Sequence, residues 1–208
     1  MSDTYRTIEA SAEANLKVEG SRFLSVSIPV TSREQVDTAV ASVREREPTA
    51  THHCTAYRLG RDGDDFRYND DGEPSGTAGP PILRQIDARN LTQTLVVVTR
   101  YFGGTKLGTG GLVRAYGEAA SRALEHASVV EKVVRVPVRV AFGYDDTAAA
   151  NQLVHRFDAV VRARDYTDVT EWLVAVRRSQ RDAFLEGFTN ALADRGTIVN
   201  VEETRGGK

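Results

Sequence analysis

Polar and apolar residues alternate from Arg22 to Val30 with a period of two, the spacing of a strand with one buried face. Tyr5 to Ala10 alternates more loosely. Thr31 or Ser32 stands where a helix N-cap is needed and Glu34 falls in the first turn. Val36, Ala39, Val40 and Val43 then recur at helical spacing until Pro48 stops the pattern. His52 to Leu59 reads as a strand, Gly60 to Asp64 as a charged turn, and Phe66 to Asn69 as a returning hairpin arm. Asp70 to Pro81 is loop, and Pro80 and Pro81 open a short helix through Ile82, Leu83, Ile86 and Ala88. Leu95 to Thr99 is continuously apolar up to its last residue, which predicts a central strand covered on both faces. After a glycine-rich loop, Gly103 to Gly111, a helix presents Leu112, Ala115, Tyr116, Ala119, Ala120, Ala123 and Leu124 on its buried side.

The pattern resets near Val129. Val134 to Phe142 reads as a strand. Asp145 or Asp146 then caps a helix over Thr147 to Phe157. Val160 to Arg164 and Trp172 to Val176 are strands around a turn at Asp165 to Thr170. Gln180 to Ala193 is a helix ended by Arg195-Gly196, Thr197 to Val201 is a final strand, and the terminal Arg-Gly-Gly-Lys is expected to fray. The order βαββαβ fits a ferredoxin-like unit. The fold class is therefore α+β in two domains, placed at residues 1–128 and 129–208, with Trp172 in the second core.

Composition narrows the function classes. The chain has 208 residues and a net charge of −2, with 40% hydrophobic and 27% charged residues, an ordinary globular mixture. There are 16 basic and 18 acidic residues up to Val133, and 11 of each after it. Neither half is a polycation, which weighs against non-specific duplex DNA binding. No apolar run approaches the ~18 residues of a membrane span, and the N-terminus does not read as a secretory signal. The lone Cys54 excludes an internal disulfide and a cysteine-pair zinc site, and fits a reducing cytoplasm. The expected location is cytoplasmic, and no cofactor or metal is expected.

Two segments concentrate chemistry. Gly103, Gly104, Lys106, Gly108, Gly110 and Gly111 follow a buried strand and open a helix, where free N–H groups favour an anion. Arg100, Tyr101 and Arg114 flank them, and Tyr101-Phe102 offers rings for stacking on a base. The spacing is neither a P-loop nor a dinucleotide fingerprint. Glycines here would equally serve tight packing of helix on sheet. Asp70, Asp71 and Glu73 place three carboxylates in four residues, which suits a salt-bridged clamp on the basic loop ahead of a hard-cation site or an acid–base pair. His52 and His53 must point to opposite sheet faces, one toward the interior or the site and the other toward solvent. Cys54 shares a face with His52, but a buried cysteine is ordinarily a small apolar residue.

The segments DDGEPSGTAG, which contains Gly76 and Thr77, and TRYFGGTKLGTGGLVRAY, together with Thr51 to Arg58, resemble the signature of the YigZ/IMPACT family. The resemblance spans nearly the whole chain. It favours His52 as the site-facing histidine, and it departs from the family at His53, where Asn is usual. It implies an N-terminal domain similar to domain IV of elongation factor G and a C-terminal one similar to domain V, modules that contact the ribosome. Eukaryotic relatives are linked to control of translation during starvation. The resemblance thus implies a non-enzymatic regulator of translation or stress response, partnered by RNA, the ribosome or a translation-associated protein. The alternative is an enzyme acting on a phosphorylated small molecule held by the glycine loop.

Overall fold

The structure, a computed structural model, describes residues 3–166 and 169–200. Val201, the C-terminal tail and part of the Asp165–Thr170 turn lie outside the described residues. Backbone packing divides the chain into two units, Tyr5–Lys132 and Met1–Thr4 with Val133–Lys208. Both mix helix and antiparallel sheet, so the α+β class holds.

The first unit is built on five antiparallel strands. In chain order these are β2 (Ala12–Val18), β3 (Ser21–Pro29), β4 (His52–Leu59), β5 (Asp65–Asn69) and β6 (Thr94–Tyr101); across the sheet they run β2-β3-β6-β4-β5. The continuously apolar strand is the central one, and Leu95, Val96, Val97 and Val98 are fully buried. A separate two-strand ribbon pairs β1 (Thr4–Ile8) with β7 (Val129–Val133). One sheet face carries Phe23, Cys54, Ala56, Val96 and Val98 against α2 (Gly79–Ala88) and α3 (Gly108–His126). Ala115, Ala119, Ala120 and Ala123 of α3 are buried, and small side chains there let the helix lie close on the sheet. The other face carries Val26, Tyr57, Leu59, Leu95 and Val97 against Val36 and Val43 of α1 (Arg33–Arg46). Ser32 caps α1 by accepting from Gln35 N–H.

Strands β2 and β7 are absent from the pattern reading. In β2 only Ala14 and Leu16 are buried, too faint an alternation to stand out. The strand β7 turns mostly charged or exposed residues outward and exists through its pairing with β1. Val18 pairs with Ser21, so Glu19 and Gly20 make a two-residue hairpin turn, both at positive φ (44° and 82°).

In the second unit β8 (Arg135–Phe142), α4 (Thr147–Arg156), β9 (Val160–Tyr166), β10 (Thr170–Arg177), α5 (Arg181–Leu192) and β11 (Gly196–Asn200) follow the order βαββαβ. The sheet order is β11-β8-β10-β9 with every pair antiparallel, the ferredoxin-like arrangement. Its core packs Val138, Val140, Phe142, Trp172, Val174 and Val176 against Ala150, Leu153, Phe184, Phe188 and Leu192. Trp172 meets Phe142 edge-on at 5.0 Å. Asp146 precedes α4, but its side chain makes no cap bond. It pairs instead with Arg195 at 3.3 Å.

Candidate functional site

The two chemistry-bearing loops lie at one end of the first sheet, and a buried carboxylate ties them together. On β6, Val96, Val98 and Arg100 share the α2/α3 face by parity, so the sequence drives a guanidinium into an apolar layer. It finds Glu73 at 2.6 Å, with side chains 6% and 4% exposed. Tyr116 of α3 donates its hydroxyl to the same Glu73 oxygen at 2.7 Å. Arg100 also donates to Ser21 Oγ at 3.3 Å, and Ser21 Oγ in turn accepts from Gly103 N–H at 3.2 Å. The guanidinium carbon lies 5.6 Å from the ring centres of both Phe23 and Phe102. Nε of Arg100 has no hydrogen-bond partner.

The remaining carboxylates of the acidic loop are engaged as well. Asp70 accepts from the backbone N–H groups of Gly76, Ala78 and Gly79 at 2.7–3.0 Å. It thereby serves the start of α2, which lacks a side-chain cap of its own. Thr77 Oγ1 donates to Pro74 O. Asp71, at φ +45°, takes Arg44 on one oxygen and His53 N–H on the other, both at 2.6 Å. Burial alone would raise the Asp71 carboxyl; those two hydrogen bonds together with the charges of Arg44 and His53 outweigh it and hold the group below its ordinary value. The clamp expected of these carboxylates therefore closes on Arg100 and Arg44. Lys106 and Arg114 stay exposed.

The two histidines do point to opposite faces, but His53 is not the solvent-facing one. It is 5% exposed beneath α1. Its Nε2–H donates to Glu47 O at 3.1 Å, and Nδ1 faces Arg44 Nη1 at 3.5 Å. Neutral imidazole supplies one donor and one acceptor there, the same pair an asparagine amide offers, which accounts for His where the family has Asn. His52 donates Nδ1–H to Asp71 O at 2.7 Å and turns Nε2 toward Glu73 Oε1 at 3.8 Å, its side chain 19% exposed. Cys54 is fully buried and its Sγ–H donates to Asp70 O at 3.0 Å. Burial pushes the thiol up to about 12, which removes it as a thiolate nucleophile at neutral pH.

Burial, and then the charge of Arg44, depress the basicity of His53. A depressed folded value means the unfolded chain binds the proton more readily. The stability tied to His53 is therefore complete above the ordinary imidazole value of about 6.5 and is lost as pH falls through and below it. Asp71 acts in the same direction at lower pH, below the ordinary carboxylate value of about 4. His53→Asn is expected to fold and to flatten the loss of melting temperature between about pH 7 and pH 5. Equal pH slopes for the two proteins in thermal melts would show that His53 does not set this dependence.

The glycine loop divides into a packed half and an open half. Gly103 lies backbone to backbone on Gly20 of the β2–β3 turn; a Cβ on Gly20 would sit 2.8 Å from Gly103 O. Gly111 packs over Leu107. Tyr101 gives its hydroxyl to Glu47 at 2.6 Å and its ring to Arg22. Arg100, Tyr101 and Gly103, expected on the ligand side, are thus engaged within the protein. Gly104 and Gly108 are at positive φ (89° and 68°) with nothing within 4 Å of a built Cβ, and Gly110 meets only the mobile end of Arg114. No side chain caps α3. Ser21 and Phe102 join the site in the structure: a serine at a strand start carries no signal in the sequence, and Phe102 reads there only as half of an aromatic pair. Among the described residues no three His, Cys, Asp or Glu side chains group as metal ligands, and no helix is long and apolar enough to cross a membrane.

A two-unit α+β chain with buried Glu73–Arg100 beneath a glycine-rich loop is thus the class defined by fold and site. Residues 19–124 match the model of the Impact N-terminal domain. YvyE of Bacillus subtilis is 33% identical over 204 residues, covering 98% of this chain and 94% of its own. YigZ of Escherichia coli is 33% identical over 186 residues, covering 88% and 89%. Both are described as IMPACT family members. A crystal structure of a hypothetical protein superposes with a TM-score of 0.72 at 28% identity, covering 98% of this chain and all of that one. The chain belongs to the IMPACT family.

Proposed function

We propose that the protein is a non-enzymatic cytoplasmic regulator of translation or stress response that binds RNA, free or in the ribosome, through the open half of the glycine loop. One observation carries this reading. Gly104 and Gly108 hold left-handed backbone over empty space, beside exposed Lys106 and Arg114. Packing does not require those glycines, whereas close approach of a phosphate to backbone N–H groups would. The resemblance to a family with members linked to translational control supplies the partner class. The reading places binding in the first module, residues 1–128, with 129–208 as the second. Against catalysis stand the high-pKa thiol and three carboxylates spent on internal bonds. The enzyme alternative rests on His52 Nε2, whose tautomer is set by Asp71 O.

Filter binding of a short RNA across a salt series tests the proposal. The double variant Lys106→Ala/Arg114→Ala is expected to bind more weakly, with a salt slope lower by roughly 1 to 1.5 for the two lost single-strand phosphate contacts. Salt-independent or undetectable RNA affinity in the native protein would sink it. Turnover of a sugar phosphate or nucleotide that disappears in His52→Ala would favour the enzyme instead.

A further inference from the structure

We propose that the RNA is held as a single strand, with one unpaired base stacked on Phe102 and the neighbouring phosphate beside Lys106; this rests on the reading above. Phe102 is 48% exposed, yet its backbone is fixed on both sides. Its own N–H donates to Thr51 Oγ1 at 3.2 Å, and Gly103 N–H donates to Ser21 Oγ at 3.2 Å. Thr51 N–H is itself bound to Arg100 O at 2.9 Å. The Gly103–Gly20 contact closes the base of the loop from the other hairpin. The buried Arg100 guanidinium sits 5.6 Å from the ring centre, a cation–π support that holds the ring. A ring so anchored loses little freedom on binding, so stacking on it is preorganised.

The neighbouring aromatic, Tyr101, is tied to Glu47 and covered by Arg22, so Phe102 is the ring this loop offers. Stacking needs a free base face, which a duplex hides and a single strand presents. The charge balance of the chain agrees. With a net charge of −2 the protein lacks the cation density for tracking a duplex backbone, and a base-stacking contact supplies affinity that charge does not.

The test is fluorescence anisotropy with a labelled oligouridylate, the same strand annealed to its complement, and an abasic strand of equal length. The native protein is expected to prefer the oligouridylate over the other two. Phe102→Ala should weaken that binding by about 5- to 150-fold, the range for one lost stack, and leave abasic binding unchanged. Phe102→Tyr should retain it. If Phe102→Ala binds oligouridylate as the native protein does while Lys106→Ala/Arg114→Ala weakens it, stacking is refuted and the phosphate reading stands. If the native protein binds none of the three strands, that reading fails with it. An unchanged melting temperature for Phe102→Ala ensures that the comparison concerns binding.

Discussion

Glu73→Ala is expected to cost about 3–5 kcal/mol of stability, the range for removing one partner of a buried ion pair. The cost arises from what stays behind. Arg100 keeps its charge in a layer where its side chain is 6% exposed, and Tyr116, fully buried, loses the acceptor of its hydroxyl. In the intact protein burial, then the Cys54 thiol and the Glu73 carboxylate beside it, hold that phenol far above its ordinary range. Glu73→Gln keeps an acceptor oxygen and should cost less than Ala, though it leaves the guanidinium uncompensated. Replacing both partners, Glu73→Leu with Arg100→Met, should be less damaging than the sum of the single changes, because no unpaired charge remains. Urea unfolding of Glu73→Ala, Glu73→Gln, the single changes Glu73→Leu and Arg100→Met, and their double variant measures this. A loss below 1 kcal/mol for Glu73→Ala would show that water reaches the pair and that the loops are held together by other contacts.

The sequence makes the frame of this protein legible through burial. A run such as Leu95–Val98 has only one place in a small sheet, the middle, and β6 lies there. The βαββαβ order near the C-terminus needs only alternation and loop spacing. The pattern is silent where burial gives no contrast: β2 owes its place to hairpin turn geometry at Glu19-Gly20 and β7 to pairing with β1. At the site, the residue types were legible and their pairings were not. Arg100 follows Val96 and Val98 in parity, so an unsatisfied charge on the buried face could have been read from the strand itself. That its partner is Glu73, and not Asp70 or Asp71, depends on how the acidic loop is threaded: Asp70 turns back to the start of α2 and Asp71 out to α1. Such loop paths follow from positive-φ positions at Asp71, Gly72 and Gly76, which local pattern does not order. His53 is the opposite case, a departure from the family's Asn that the donor–acceptor geometry makes conservative.

Gly103→Ala is expected to cost roughly 3 kcal/mol or more, at the upper end of overpacking changes, while Gly104→Ala next to it costs about 1–2 kcal/mol. The glycines differ in what surrounds them. A Cβ on Gly103 would land on the carbonyl group of Gly20 and on Ser21 N, backbone atoms of a two-residue turn that have no rotamer to change. Relief requires the loop after β6 to lift from the β2–β3 turn, which breaks the Ser21 Oγ bonds to Gly103 N–H and Arg100. Gly104 meets nothing within 4 Å, so an alanine there bears only the strain of φ +89°. Thermal unfolding separates the two variants, and amide exchange reads the mechanism. In Gly103→Ala the backbone amide at position 103 should lose its protection, because its Ser21 acceptor is withdrawn, while the Val96–Val98 amides in the central strand keep theirs. A Gly103→Ala protein as stable as Gly104→Ala, with the amide at position 103 still protected, would show that the two backbones have room to part. Gly103 would then belong with Gly104 and Gly108 to the open, ligand-facing half of the loop.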